Sequence, residues 1–221
     1  MTLHNLFTAG PANLYANPDN AITLGTEFRV NTACWATQIR WFRASGAGEG
    51  IRRGAIYWVN TGGLTGTLVY GPVALPAGVD GQWVPLDIPA LRLDPGSYRV
   101  AIWHPSPGLY VATANYFSTG TGGTNTTRGP ITIPNAASAL GQKQGSYTNG
   151  EAMAFPASVY NAGGYFSDIT ISDTNPNPPQ GIAVKVREAE AWVSRTARPK
   201  VFQDGQWKPA PLKRWTGTNW Q

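Results

Sequence analysis

A single cysteine, Cys34, excludes any disulfide within the chain and any zinc site built from four cysteines. Alone, it reads as a small buried hydrophobe. The two histidines, His4 and His104, argue against a catalytic zinc site, and neither a Gly-x-Ser-x-Gly elbow nor a Gly-rich phosphate loop ending in Lys and Ser or Thr is present. No apolar run reaches the ~18 residues of a membrane span. The opening Met1-Thr2-Leu3-His4 lacks the basic stretch and apolar core of a signal peptide. These absences lead us to expect a cytoplasmically made, soluble chain without cofactor, metal or membrane insertion. Charged residues are scarce at 13%, but 9 Trp, 7 Phe and 9 Tyr supply the apolar area of a core, which argues against disorder.

Turn formers, in contrast, are plentiful. The 26 Gly and 18 Pro are spread among Val, Ile, Thr, Tyr and Trp, as suits many short strands joined by tight turns. Residues 1–23 are polar and broken by Gly10-Pro11 and Asn17-Pro18, so they read as an arm leading into the first strand. Gly25 to Val30 then alternates polar and apolar, and Thr37 to Phe42 and Ala55 to Val59 are aromatic and β-branched, the marks of a half-buried sheet. Further strands are predicted at Thr67 to Tyr70, Gln82 to Ile88, Ser97 to Trp103, Tyr110 to Ala114, Ile131 to Ile133 and Tyr165 to Ile171. Asp94-Pro95-Gly96 is a turn feeding the strand that contains Tyr98. Gly120 to Thr127 reads as a flexible loop. The fold class that follows is all-β: an antiparallel, jelly-roll-like β-sandwich over residues 24–172.

Residues 173–180, Asp-Thr-Asn-Pro-Asn-Pro-Pro-Gln, cannot continue a central strand and read as an extended linker. Beyond it, residues 181–221 hold eight of the 17 basic side chains and three of the 12 acidic ones, so residues 1–180 are balanced at nine each and the whole net charge of +5 lies in the tail. That tail repeats. Lys185, Lys200 and Lys213 each precede a tryptophan by seven residues (Trp192, Trp207, Trp220), with Asp204-Gly205 and Thr216-Gly217 as turns in the second and third units. The first unit has Glu188-Ala189-Glu190 where its turn should be, which leaves its hairpin in doubt. A lone hairpin is marginal in water. We therefore expect Trp192, Phe202, Trp207, Trp215 and Trp220 to be assembly residues that bury their rings against other units, other copies or a partner, a trimer being the favoured homo-oligomer.

Two stretches resemble known families. Leu24-Gly25-Thr26-Glu27-Phe28, Ile39-Arg40-Trp41-Phe42, Gly54-Ala55-Ile56-Tyr57, Gly81-Gln82-Trp83-Val84, Pro95-Gly96-Ser97-Tyr98, Asn115-Tyr116-Phe117, Phe155-Pro156-Ala157-Ser158 and Tyr165-Phe166-Ser167-Asp168-Ile169 resemble, in order and spacing, a domain of unknown function found in actinobacterial secreted proteins and in tail proteins of their phages. The resemblance implies a binding or display module in a cell-surface or carbohydrate-associated setting. Lys200-Val201-Phe202-Gln203-Asp204-Gly205-Gln206-Trp207 and, as a variant, Lys213-Arg214-Trp215-Thr216-Gly217-Thr218-Asn219-Trp220 resemble repeats at the C-terminus of minor tail proteins of actinobacteriophages. Neither pattern carries catalytic residues.

Together these readings predict a non-enzymatic structural virion component, a minor tail or fibre protein that displays its sandwich on the particle's exterior among other virion proteins. A carbohydrate-binding, adhesin-like module and a capsid decoration or head fibre are the alternatives. Paired carboxylates for glycoside hydrolysis are possible among nine acids, but nothing marks two as partners. The candidate ligand site is Trp103 to Tyr110, where Trp103, His104 and Tyr110 flank a proline-rigid turn suited to a host cell-surface glycan; the competing reading makes the rings core residues bracketing a surface turn. The tail's basic and aromatic residues could also track nucleic acid. Hairpin assembly explains the repeat period as well, so no nucleic-acid partner is expected.

Overall fold

The structure, a computed structural model, describes residues 1–13 and 17–177 together with the backbone of 182–188, 191–197, 200–203 and 206–209. It divides into two units, Met1–Pro176 and Asn177–Gln221, and the division falls inside the stretch read as linker. Among the described residues no helix is long and apolar enough to cross a membrane.

Unit one is a β-sandwich. Its strands are β1 (Leu3–Asn5), β2 (Ile22–Val30), β3 (Cys34–Phe42), β4 (Arg53–Val59), β5 (Gly66–Ala74), β6 (Trp83–Leu93), β7 (Gly96–His104), β8 (Thr126–Arg128), β9 (Ile131–Ile133), β10 (Ser146–Asn149), β11 (Ser158–Val159) and β12 (Ser167–Ser172). All pair antiparallel, in a four-stranded sheet ordered β1-β12-β3-β6 and a larger one ordered β11-β10-β2-β7-β4-β5. One edge of β2 is shared: β10 pairs with its first half and β9 with Arg29 and Val30. The chain changes sheets from β2 to β3, from β3 to β4, from β5 to β6 and from β6 to β7, so sequence neighbours face each other across the core.

The period-two pattern builds that core. Ile39 and Trp41 of β3 and Ile169 and Ile171 of β12 meet Phe28 of β2, Ile56 of β4 and Val100 and Ile102 of β7 in one apolar cluster. Each side chain removed from water in this way contributes about 1.5–3 kcal/mol. Cys34 is wholly enclosed, and burial pushes its thiol up to about 12, so it behaves as a hydrophobe.

The half-buried sheet expected from alternation forms at β3, where buried and partly exposed residues alternate, but β2 and most of β4 are buried on both faces. The second face of β2, β7 and β4 is also covered, because Met153 and Phe155 pack over Ala55, Tyr57 and Ala101. Pro156 lies so close to β2 that a Cβ on Gly25 would stand 2.6 Å from its ring. The polar members of the alternation are thereby trapped. Glu27 and Arg99 are fully buried and form an ion pair at 3.1 Å, with the Leu140 N–H donating to Glu27 at 3.0 Å and Phe155 lying 4.7 Å from the guanidinium. Burial raises the Glu27 carboxyl and lowers the Arg99 guanidinium, each opposed by its partner's charge. A pair like this gains little net stability but is costly to break from one side.

Residues 1–23 are likewise more than an arm. Leu3–Asn5 pairs with β12, Leu6 and Phe7 enter the core, and the Leu6 N–H donates to the buried Asp168 carboxylate at 2.8 Å. Asp168 also binds Arg40, directly opposite it in register. The predicted strand at Tyr110 to Ala114 is reduced to isolated bridges, Tyr110 to Asn17 and Thr113 to Gly164, and the loop at 120–127 ends in β8.

Unit two contains two separate two-stranded sheets: β13 (Ile182–Glu188) with β14 (Ala191–Ala197), and β15 (Lys200–Gln203) with β16 (Gln206–Pro209). The first repeat unit is a hairpin after all. Glu188 pairs with Ala191, which leaves two residues between the strands in place of the expected turn chemistry.

Candidate functional site

The loop after β7 does not gather its three singled-out residues on one surface. Successive residues of a strand face opposite ways. His104 therefore turns inward, fully buried, with its ring 5.9 Å from the Trp41 indole in an edge-on contact. Trp103 turns outward. Desolvation drives the His104 imidazole down to about 3, helped by the positive Arg52, so it is a neutral core side chain and is withdrawn as a ligand residue. The turn is held from the N-terminal side: Gly108 N–H donates to the Asp19 carbonyl at 2.7 Å, and Asn17 N–H to the Tyr110 carbonyl at the same distance.

Trp103 lines a groove of about 570 Å³ with Ile51, Arg53, Pro72, Pro105, Glu151 and Met153. Its indole N–H donates to the Gly150 carbonyl at 3.0 Å, which fixes the ring while leaving it half exposed. Arg53 stands opposite Trp103 in register on β4, and both Arg53 and Glu151 are exposed. The groove thus combines a positioned aromatic ring, apolar walls and one charged group of each sign.

Tyr110 belongs to a different cleft. This one encloses about 250 Å³ between Asp19, Ile22, Tyr110, Tyr147, Asn149, Tyr160 and Tyr165. Tyr147 and Asn149 come from the same side of β10, while Tyr160 and Tyr165 bracket the turn between β11 and β12. The rings of Tyr110 and Tyr165 meet at 79° with centroids 5.8 Å apart. Burial raises the Tyr165 phenol, and Tyr110, Tyr147 and Asp19 add to the shift; burial and a hydrogen bond with Asp19 raise Tyr110. Both phenols stay protonated at neutral pH. Of this cleft only Tyr110 was singled out from the sequence, because its walls come from segments scattered between residues 19 and 165.

The comparisons with known proteins bear on these surfaces. The family model for a domain of unknown function, DUF4082, matches residues 8–167, which is most of the sandwich. The chain belongs to this family. No curated protein and no solved structure matches it. The match begins at residue 8, so β1 and the Leu6 and Phe7 anchors of this DUF4082 domain precede it.

Most acids of the sandwich, Asp19 and Glu151 aside, are dispersed among structural partners. Asp168 is tied to Arg40, Glu27 to Arg99, Asp80 to Arg43, Asp94 to Arg92, and Asp87 accepts from Gln38 at 2.7 Å. No three His, Cys, Asp or Glu side chains gather in a metal-binding arrangement among the described residues. In the tail, Trp192 pairs in register with Arg187, and Phe202 with Trp207. Trp215 and Trp220 lie outside the described residues.

Proposed function

We propose that the protein is a non-enzymatic structural component of a phage virion, a minor tail or fibre protein. In this reading the DUF4082 domain is displayed outward and touches glycan on the host surface, while the C-terminal unit joins it to other copies or other virion proteins. The observation that carries the display half is the Trp103 groove. Sugars pack an apolar face on an aromatic ring and offer hydroxyls to flanking polar groups. Here the indole is fixed by its bond to Gly150, and Arg53 and Glu151 stand beside it. The assembly half is supported by the two separate hairpins of unit two, since two-stranded sheets are marginal by themselves.

The test uses full-length protein on purified actinobacterial cell envelope. The wild type should be retained and eluted by soluble envelope glycan, whereas Trp103→Ala, with an unchanged circular-dichroism spectrum, should bind at least about tenfold more weakly, as expected for the loss of a central aromatic anchor. Retention undiminished in Trp103→Ala would remove the groove from host contact. A carbohydrate-binding adhesin without a virion role is the second reading, and the same groove favours it.

A further inference from the structure

The Tyr110 cleft has a composition different from the Trp103 groove and shares no lining residue with it. Among the described residues, four tyrosines and one carboxylate line it, and no Lys or Arg does. Asp19 is in no ion pair among the described residues; its Oδ1 accepts from the Asn20 N–H at 2.8 Å, and its charge adds to the rise of the Tyr110 phenol. Among the described residues the one charged side chain lining the cleft is therefore acidic, and it sits beside the phenols of Tyr110 and Tyr165, which burial raises.

Ring geometry narrows the class of ligand further. A sugar stacks on a flat aromatic platform, but Tyr110 and Tyr165 meet edge to face at 79° and offer no such platform between them. Tyr147 and Tyr160 supply further sides, and Tyr160 is 67% exposed at the mouth. Several aromatic rings at different angles around a compact volume suit a cation, which aromatic π-systems attract. The backbone that places two of these rings is held in an uncommon conformation: Asn161 and Ala162 have φ of 49° and 42°, and Phe166 has 53°. For Ala and Phe this left-handed region is strained, and such strain persists where surrounding structure imposes it, often at ligand sites. Asn115 N–H donating to the Asn161 carbonyl at 2.7 Å, and Phe117 N–H to the Ala162 carbonyl at 3.0 Å, hold the turn in place.

We propose that this cleft is a binding site for an organic ammonium group, held by cation–π contact with Tyr110, Tyr147, Tyr160 and Tyr165 and neutralised by Asp19. The ammonium belongs either to a choline-type headgroup or to the primary amine of an amino sugar, and its methylation distinguishes these sources. The proposal does not depend on glycan binding at Trp103, and the two fail independently.

Isothermal titration of the full-length protein provides the test, with choline, glucosamine, and 3,3-dimethyl-1-butanol as the neutral isostere of choline. One of the two cations should bind saturably, and its rank over the other names the source. The neutral isostere should bind at least about tenfold more weakly, a cation–π and counterion loss of ordinary size. Asp19→Asn and Tyr160→Ala, both at partly or largely exposed positions, should each lower affinity about three- to tenfold, whereas a cation that binds elsewhere would keep its affinity in both variants. Equal binding of the neutral isostere, or no saturable heat with either cation, overturns the proposal.

Discussion

The His104 ring has the Trp41 indole against its edge, Tyr110 at 6.1 Å, and an Nδ1 with no hydrogen-bond partner among the described residues. Its imidazole is held at about 3, against 6.5 when free, so folding favours the neutral form. Stability from this group is fully present above pH 6.5 and falls as the solution is acidified toward pH 3. Between pH 7 and pH 5 the loss is about 2 kcal/mol, from roughly one and a half pKa intervals at 1.36 kcal/mol each. Glu27 and Asp168 act with the opposite sign, because burial raises their carboxyls and their contribution is lost as pH rises through the folded-state value. Comparison with His104→Phe, which keeps an aromatic ring beside Trp41, separates the terms. In urea denaturation at pH 7 and pH 5, the wild type should lose about 2 kcal/mol more than the variant on acidification. Parallel losses would mean that His104 is not desolvated in the native state.

At the scale of elements, β1 and the residues after it matter more than their length suggests. Leu6 and Phe7 are 3% and 2% exposed, Phe7 lies 4.9 Å from the Phe166 ring, and the Leu6 N–H caps the buried Asp168. Removing residues 1–7 uncovers both core positions and leaves Asp168 with fewer hydrogen bonds. The expected cost is roughly 3–6 kcal/mol from the two side chains alone, read as a lowered urea midpoint. An unchanged midpoint would show that the opening residues do not hold the sandwich. These residues illustrate what the sequence could not disclose. Strands such as Cys34–Phe42 and Gly96–His104 were legible because β-branched and aromatic residues recur over several pleats. Leu3–Asn5, Thr126–Arg128 and Ser158–Val159 are two or three residues long, too short for any period, and only the strands they dock against define them. The covering of the second face depends on Pro156 returning to Gly25 and Phe155 to Ala55, Tyr57 and Ala101, contacts between distant positions that alternation at β2 does not signal. The same reasoning applies to the sites. Trp103 and Tyr110 could be picked out beside a rigid turn, but the strand's alternation sends His104 inward, and the partners of Tyr110 are brought together only by the fold.

For the molecule as a whole, charge and architecture divide at the same place. Residues 1–176 carry nine basic and nine acidic side chains, so the +5 excess belongs wholly to the unit that begins at Asn177. A basic, aromatic segment could bind nucleic acid, with an affinity that falls steeply with salt, or it could assemble. The pairing within Ile182–Ala197 and Lys200–Pro209 favours assembly: each hairpin places a tryptophan at a paired position, Trp192 opposite Arg187 and Trp207 opposite Phe202, in sheets too small to be stable alone. Full-length protein should therefore sediment as an oligomer, with a trimer favoured, and a chain ending at Pro176 should sediment as a monomer with the denaturation midpoint of its sandwich retained. Replacing Trp192 and Trp207 together by Ala should reproduce the monomer without removing any basic charge, which a nucleic-acid-binding tail would not require. Two monomeric species, combined with a salt-dependent mobility shift of labelled DNA by the full-length chain alone, would instead assign the tail to nucleic acid and leave the sandwich without its means of assembly.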